Sequence, residues 1–196
     1  MVQLRLSQIV AISALLALCA CATAPRNINN VCAVFDQRDG WFRNWQAAAE
    51  SASSKYGIPV PVLMATIRKE SGFKSHARPR RKWVFGFVPW GHISSANGFS
   101  QAIDGTWDQY RRETGNFTAS RHDFADAVDF VGWYYAKSVA LFALPADDAY
   151  HLYLTYYFGW DAYRRGDWQG NAAIKRYAAE TAQMARDYAE QLRMCR

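Results

Sequence analysis

The sequence predicts an all-α protein built as a single domain, on three observations. From Trp41 onward, apolar residues recur at three- and four-residue steps, the spacing that keeps one face of a helix apolar. No segment makes a convincing sheet. The chain has 196 residues, of which 51% are hydrophobic and 15% aromatic, enough apolar area for one core and too much for a disordered chain.

The N-terminus comes first. Arg5 precedes an apolar stretch over residues 9–20, too short to span a bilayer comfortably and suited to a secretory leader. Ala22-Thr23-Ala24 fits an ordinary A-x-A cleavage site, but Pro25 would follow the cut. Leu18-Cys19-Ala20-Cys21 instead resembles the bacterial lipobox, which makes Cys21 the candidate lipid-bearing residue and residues 1–20 the leader. Residues 21–40 then form a lipid-anchored tether and N-terminal segment, and residues 41–196 the folded domain. Cleavage before Cys21 removes Cys19 and leaves Cys32 and Cys195 as the pair in the folded part. An exported compartment permits their disulfide, and closing so long a loop stabilises the fold by roughly 4 to 5 kcal/mol in the chain-entropy model.

Within the body, helix stops are expected at Gly57, Gly72, Gly115 and Gly166, and starts at Asp104, Ser120 and Asp147, whose short polar side chains can cap unpaired backbone donors. One apolar stripe runs through Phe124, Val128, Val131, Tyr135, Val139 and Phe142. Another runs through Ile174, Tyr177, Thr181, Met184, Tyr188 and Leu192. Residues 78–90, RPRRK followed by WVFGFVPW, break the helical pattern and read as a loop with a short hairpin. A basic run beside aromatics suits a glycan strand, a membrane surface or nucleic acid bases, or a solvated turn feeding aromatics inward. The net charge of +6 favours an anionic partner without choosing among them.

The chemistry starts at Glu70. Prolines at 59 and 61 open its segment and Gly72 closes it, and helical spacing puts Glu70 in line with Leu63, Thr66 and Ile67 on an apolar stripe. Burial and the negative end of the helix dipole both favour the protonated carboxyl there, the state a glycosidase acid needs. The competing reading turns Glu70 outward to pair with Arg68, Lys69 or Lys74.

Glu70-Ser71-Gly72-Phe73, then Gly98-Phe99-Ser100-Gln101, then Thr155-Tyr156-Tyr157-Phe158-Gly159 resemble, in order, the three motifs of the lysozyme-like soluble lytic transglycosylase domain. The run Ser95-Ala96-Asn97-Gly98-Phe99-Ser100-Gln101-Ala102-Ile103-Asp104-Gly105-Thr106-Trp107 resembles its lipoprotein members more closely. The resemblance implies a lysozyme-like fold, with Glu70 as general acid and then base. Ser71, Gln101 and Tyr156 would position the N-acetylated sugars or the glutamate. Phe99-Ser100 stands where the family reads Leu-Met, which implies altered saccharide contacts, and Tyr157 replaces the usual asparagine.

The implied reaction cleaves peptidoglycan between N-acetylmuramic acid and N-acetylglucosamine and closes a 1,6-anhydro ring without water. The alternatives are a hydrolytic lysozyme, which generally needs a second carboxylate, and a non-catalytic wall-binding assembly factor. Asp104 is the nearest second carboxylate in sequence, but helix capping explains it more simply; Asp123, Asp126 and Asp129 read as a solvated face. No phosphate loop or H-E-x-x-H zinc motif is present, and His76, His92, His122 and His151 are dispersed, so neither metal nor cofactor is expected. The expected partners are glycan strands and, through the lipid, a membrane. The expected state is a monomer at the periplasmic face of the outer membrane, with no nucleic acid bound.

Overall fold

The structure, a computed structural model, describes residues 24–39, 43–79, 81–84, 88–92 and 94–195. Cys21 and the leader lie outside the described residues. Eight helices are described: α1 (Val31–Phe35), α2 (Trp45–Tyr56), α3 (Val60–Ser71), α4 (Asp104–Thr114), α5 (Phe124–Phe142), α6 (Ala149–Phe158), α7 (Trp160–Arg165) and α8 (Ala172–Leu192). Two antiparallel ribbons join them, β1 (Arg38–Asp39) with β2 (Arg43–Asn44), and β3 (Arg81–Val84) with β4 (Val88–His92). The all-α expectation holds for the body, and the second ribbon is the hairpin expected within residues 78–90.

Helix ends follow local chemistry. Gly57, Gly72, Gly115 and Gly166 all close helices in the left-handed conformation. Starts are displaced from their expected positions. The side chain of Asp123, not Ser120, accepts from the backbone of Ala125 and Asp126 to open α5. Asp148, not Asp147, caps α6 by accepting from His151. Asp104 is the first residue inside α4, where its carboxylate pairs with Arg121 at 2.8 Å instead of capping. At the starts of α5 and α6 the carboxylate that reaches free amides sets the boundary.

The core forms where α2 packs on α5, and where α3 and α6 pack on α8. Trp45 stacks on Phe124 with ring centroids 4.2 Å apart, and Phe99 meets both rings edge-on. Gly132 allows α2 to approach α5, since a Cβ there would lie 2.6 Å from the Tyr56 ring. The α5 stripe is buried from Phe124 through Tyr135. On α8 the buried face runs instead through Ile174, Ala178, Thr181, Ala185 and Tyr188. Tyr177 is exposed, and its ring lies under the Lys69 ammonium at 4.1 Å. Small alanines take the inward positions because α3 and α6 approach closely there.

Asp123, Asp126 and Asp129 are not a solvated face. Asp126 holds Asn116 and the Ser120 amide. Asp129 accepts from Lys55, Tyr56 and Tyr110, joining α2, α4 and α5. Burial and the Asp129 charge together push the Tyr56 phenol up to about 12.

The N-terminal segment is partly core. Val31 and Val34 are fully buried, and Cys32 is bonded to Cys195 with Cα atoms 5.7 Å apart. Gln191 on α8 reinforces this closure, accepting from the Val31 amide at 2.8 Å and donating to the Asn29 carbonyl at 3.0 Å.

Candidate active site

Glu70 sits in the last turn of α3, which Gly72 ends. Leu63, Thr66 and Ile67 behind it are fully buried, as the helical spacing predicts. The basic neighbours that could have drawn it outward are engaged elsewhere or exposed. Arg68 bonds Asn29, Lys69 reaches Glu180 at 2.6 Å, and Lys74 is exposed. Glu70 enters no ion pair among the described residues.

Its carboxyl faces a cavity of about 460 Å³ whose wall also includes Gln101, Thr106, Phe130, Tyr134, Tyr156 and Tyr157. This volume lies in the usual range for small-molecule clefts. Glu70 is the one carboxylate on that wall among the described residues. Burial raises its pKa from the ordinary 4.5 to about 7, and a hydrogen bond from Tyr153 and the nearby Lys69 charge pull in the opposite direction without cancelling it. The carboxyl can therefore hold a proton near neutral pH.

Tyr153 escapes notice in the sequence because an aromatic on an apolar helix reads as core. The available signal was its spacing: three residues before Tyr156 and four before Tyr157, it shares their face of α6. Burial and the Glu70 charge both push its phenol well up, so it stays a donor to the carboxylate. A second buried phenol lies close by. Thr66 donates its only proton to the Val62 carbonyl at 3.0 Å, so Tyr135 must donate to Thr66 across their 2.8 Å contact.

The second motif forms a tight loop against this wall. Gly98 has φ 75°, and a Cβ there would lie 2.1 Å from the Arg121 carbonyl oxygen, so the loop requires glycine. Gln101 is also left-handed at φ 52°. Its amide donates to the carbonyls of Ala77 at 2.9 Å and Gly98 at 2.8 Å, which uses both amide protons and leaves Oε1 as an acceptor. Tyr156 closes the arrangement by donating to the Ser100 carbonyl at 2.6 Å. Its ring packs edge-on against Tyr134 and Tyr135.

The structure thus brings Glu70, Gln101, Tyr156 and Tyr157 to one cavity, with Tyr157 half exposed at its edge. Other predicted site residues fall elsewhere. The expectation that Phe99 and Ser100 contact saccharide is corrected by their placement, because both side chains are fully buried. Phe99 belongs to the Trp45 cluster, and Ser100 meets the site through its backbone carbonyl. Ser71 is buried and donates to the Ile67 carbonyl of its own helix at 3.1 Å. Asp104 is exposed, off the cavity wall and paired with Arg121. Among the described residues no cluster suited to a metal ion occurs.

A search of curated proteins finds no match to the chain. The sequence profile described as the transglycosylase SLT domain matches residues 9–195, nearly the full length. Lytic transglycosylase activity on peptidoglycan is the activity that this domain implies. The motif order, the helical body and the profile agree, and the chain belongs to the transglycosylase SLT domain family.

Proposed function

We propose that the protein cleaves the β-1,4 bond between N-acetylmuramic acid and N-acetylglucosamine, with Glu70 acting as acid and then as base. The observation that carries this reading is a protonatable carboxyl, raised to about 7, standing as the one carboxylate on the cavity wall among the described residues. Protonated Glu70 gives its proton to the glycosidic oxygen as the bond to carbon one breaks. The muramyl acetamido group supports the positive charge developing at that carbon. The resulting carboxylate, held by Tyr153, takes the proton of the same sugar's C6 hydroxyl, whose oxygen closes onto carbon one. The products are a free N-acetylglucosamine hydroxyl and a 1,6-anhydromuramyl end, with no water consumed.

Gln101 Oε1 supplies an acceptor for a sugar hydroxyl or acetamido N–H, and Tyr156 and Tyr157 supply flat walls for sugar rings. A hydrolase would generally call for a second carboxylate, and that wall provides none among the described residues. Lipidation at Cys21 and residence at the periplasmic face of the outer membrane complete the proposal, supported by the lipobox-like run alone.

The test is digestion of purified peptidoglycan by the chain from Ala22 onward, with products resolved by mass spectrometry. Anhydromuramyl ends that disappear in Glu70→Gln support the reading. Reducing muramyl ends would make it a hydrolase, and anhydro products from Glu70→Gln would remove Glu70 from the chemistry.

A further inference from the structure

Lys69 immediately precedes Glu70 on α3, and its side chain is 20% exposed, low for a group that water solvates so strongly. The chemistry above gives it no part. Two residues of α8 hold it. The Glu180 carboxylate accepts from the Lys69 ammonium at 2.6 Å, and the Tyr177 ring lies 4.1 Å from the same nitrogen. Tyr177 and Glu180 are three positions apart, so they share a face of α8. That face is not the packed one, which runs through Ile174, Ala178, Thr181 and Ala185. Core packing therefore accounts for neither residue, and what they have in common is Lys69. None of the three lines the Glu70 cavity.

An unbalanced ammonium beside a general acid works against it, because a positive charge favours the ionised carboxylate. Among the described residues the charge that acts on Glu70 is that of Lys69, which pulls toward ionisation while burial opposes it. The other titratable groups around this carboxyl are phenols, Tyr153 and Tyr156 on α6 and Tyr135 on α5. Burial pushes all three well up, so they are uncharged near neutral pH. Around the ammonium, Arg176 of α8 stands 4.0 Å from Glu180, and Arg68 of α3 is bonded to Asn29. A lysine paired with a carboxylate acts at a distance as a dipole, whose field fades faster than that of a lone charge. The lysine stem is long and flexible, so the clasp also fixes where the ammonium sits.

We propose that Glu180 and Tyr177 are positioning residues for Glu70: they clasp the Lys69 ammonium against α8, neutralise it and keep it from drawing the proton off the neighbouring carboxyl. The inference rests on the acid and base role proposed for Glu70 and adds a distant helix to the parts that sustain it. Carboxylate and ring divide the work. Glu180 supplies the opposing charge, and the face of Tyr177 supplies a second attraction that keeps the ammonium from swinging free. Lys69 is consequently the link through which α8, more than 100 residues away in sequence, acts on the acid.

The test reads the proton on Glu70 directly and needs no substrate, so its failure is distinct from a failure of the proposed reaction, which peptidoglycan digestion checks. The full chain is labelled with carbon-13 at its glutamate side-chain carboxyls and titrated by NMR, the Glu70 resonance being the one missing from Glu70→Gln. The wild-type carboxyl is expected to titrate at about 7. Glu180→Gln should lower that midpoint by about half a pH unit, and Lys69→Met should raise it. Tyr177→Ala should lower it as well, whereas Tyr177→Phe, which keeps the ring face, should match the wild-type chain. In a chain already carrying Lys69→Met, Glu180→Gln should move the midpoint by less than about half as much, because the residue it acts through is gone. The alkaline limb of the rate profile should shift in the same order, which loss of packing alone does not produce. Matching melting curves would show that the variants keep the fold. An unmoved midpoint in Glu180→Gln, a midpoint that does not rise in Lys69→Met, or an equal Glu180→Gln shift with and without Lys69 overturns the proposal.

Discussion

The phenol of Tyr153 on α6 acts on the carboxyl of Glu70 on α3 to lower its pKa, against the burial that raises it to about 7. Burial holds the Glu70 proton on, while the phenol stabilises the carboxylate left after that proton departs. A group that serves first as acid and then as base needs both influences, because either state held too firmly stops half of the cycle.

The first expectation concerns rate against pH. Glu70 begins the reaction protonated and titrates near pH 7, so turnover on soluble glycan should fall as pH rises through about 7. A profile flat to about pH 9 would contradict the role assigned to this carboxyl.

Tyr153→Phe removes the donor that lowers the Glu70 pKa. The alkaline limb of the rate profile should therefore move to higher pH, while the maximal rate drops because the carboxylate loses its support. A variant with a lower rate and an unmoved limb would show that Tyr153 serves packing alone.

Stability carries the opposite sign from activity at this residue. The folded pKa of Glu70 lies above its unfolded value, so between about 4.5 and 7 the folded state binds more protons and stability falls as pH rises. Glu70→Gln should therefore raise stability above pH 7, by about 1 to 3 kcal/mol, and have little effect below about pH 4. Urea midpoints of the two proteins at both pH values measure this directly, and a destabilised variant at alkaline pH would refute it.

Gly98→Ala should damage the site through the backbone. The added Cβ meets the Arg121 carbonyl at 2.1 Å in a left-handed conformation, so the loop must shift. A loss of about 2 kcal/mol or more is expected, together with a fall in activity as Gln101 moves off the Ala77 carbonyl. Full activity in a normally stable variant would show that the loop can rearrange.

Removing the bridge tests the closure of the chain ends. Cys32→Ser with Cys195→Ser opens a loop with a sequence separation of 163 residues and should cost about 2 to 5 kcal/mol. Chemical denaturation of the variant beside the oxidised wild-type chain provides the comparison. Equal midpoints would show that the docking of α1 on α8 suffices.

Much of the framework was legible in the sequence because it depends on local chemistry. The four glycine stops, the apolar stripe of α5, the line from Leu63 to Glu70 and the cysteine pair each follow from short-range periodicity, from backbone freedom or from counting thiols. Helix starts were read less well. Several short polar residues stand near each boundary, and only the packed loop decides which side chain reaches the free amides.

The composition of the cavity wall was decided by tertiary structure. Gln101, Tyr156 and Tyr157 lie on it with Glu70, whereas Phe99 and Ser100, inside the same motif, face the core. Adjacent residues in a tight loop point in different directions, and motif membership does not distinguish them. Asp129 and Tyr153 show the same limit, since what each binds is carried by a helix distant in sequence. The sequence by itself determined which carboxyl sits on an apolar helix face and where that helix ends. Only the packing of α6 against α3 decided its proton affinity, because desolvation and the Tyr153 hydrogen bond exist only once the two helices are brought together.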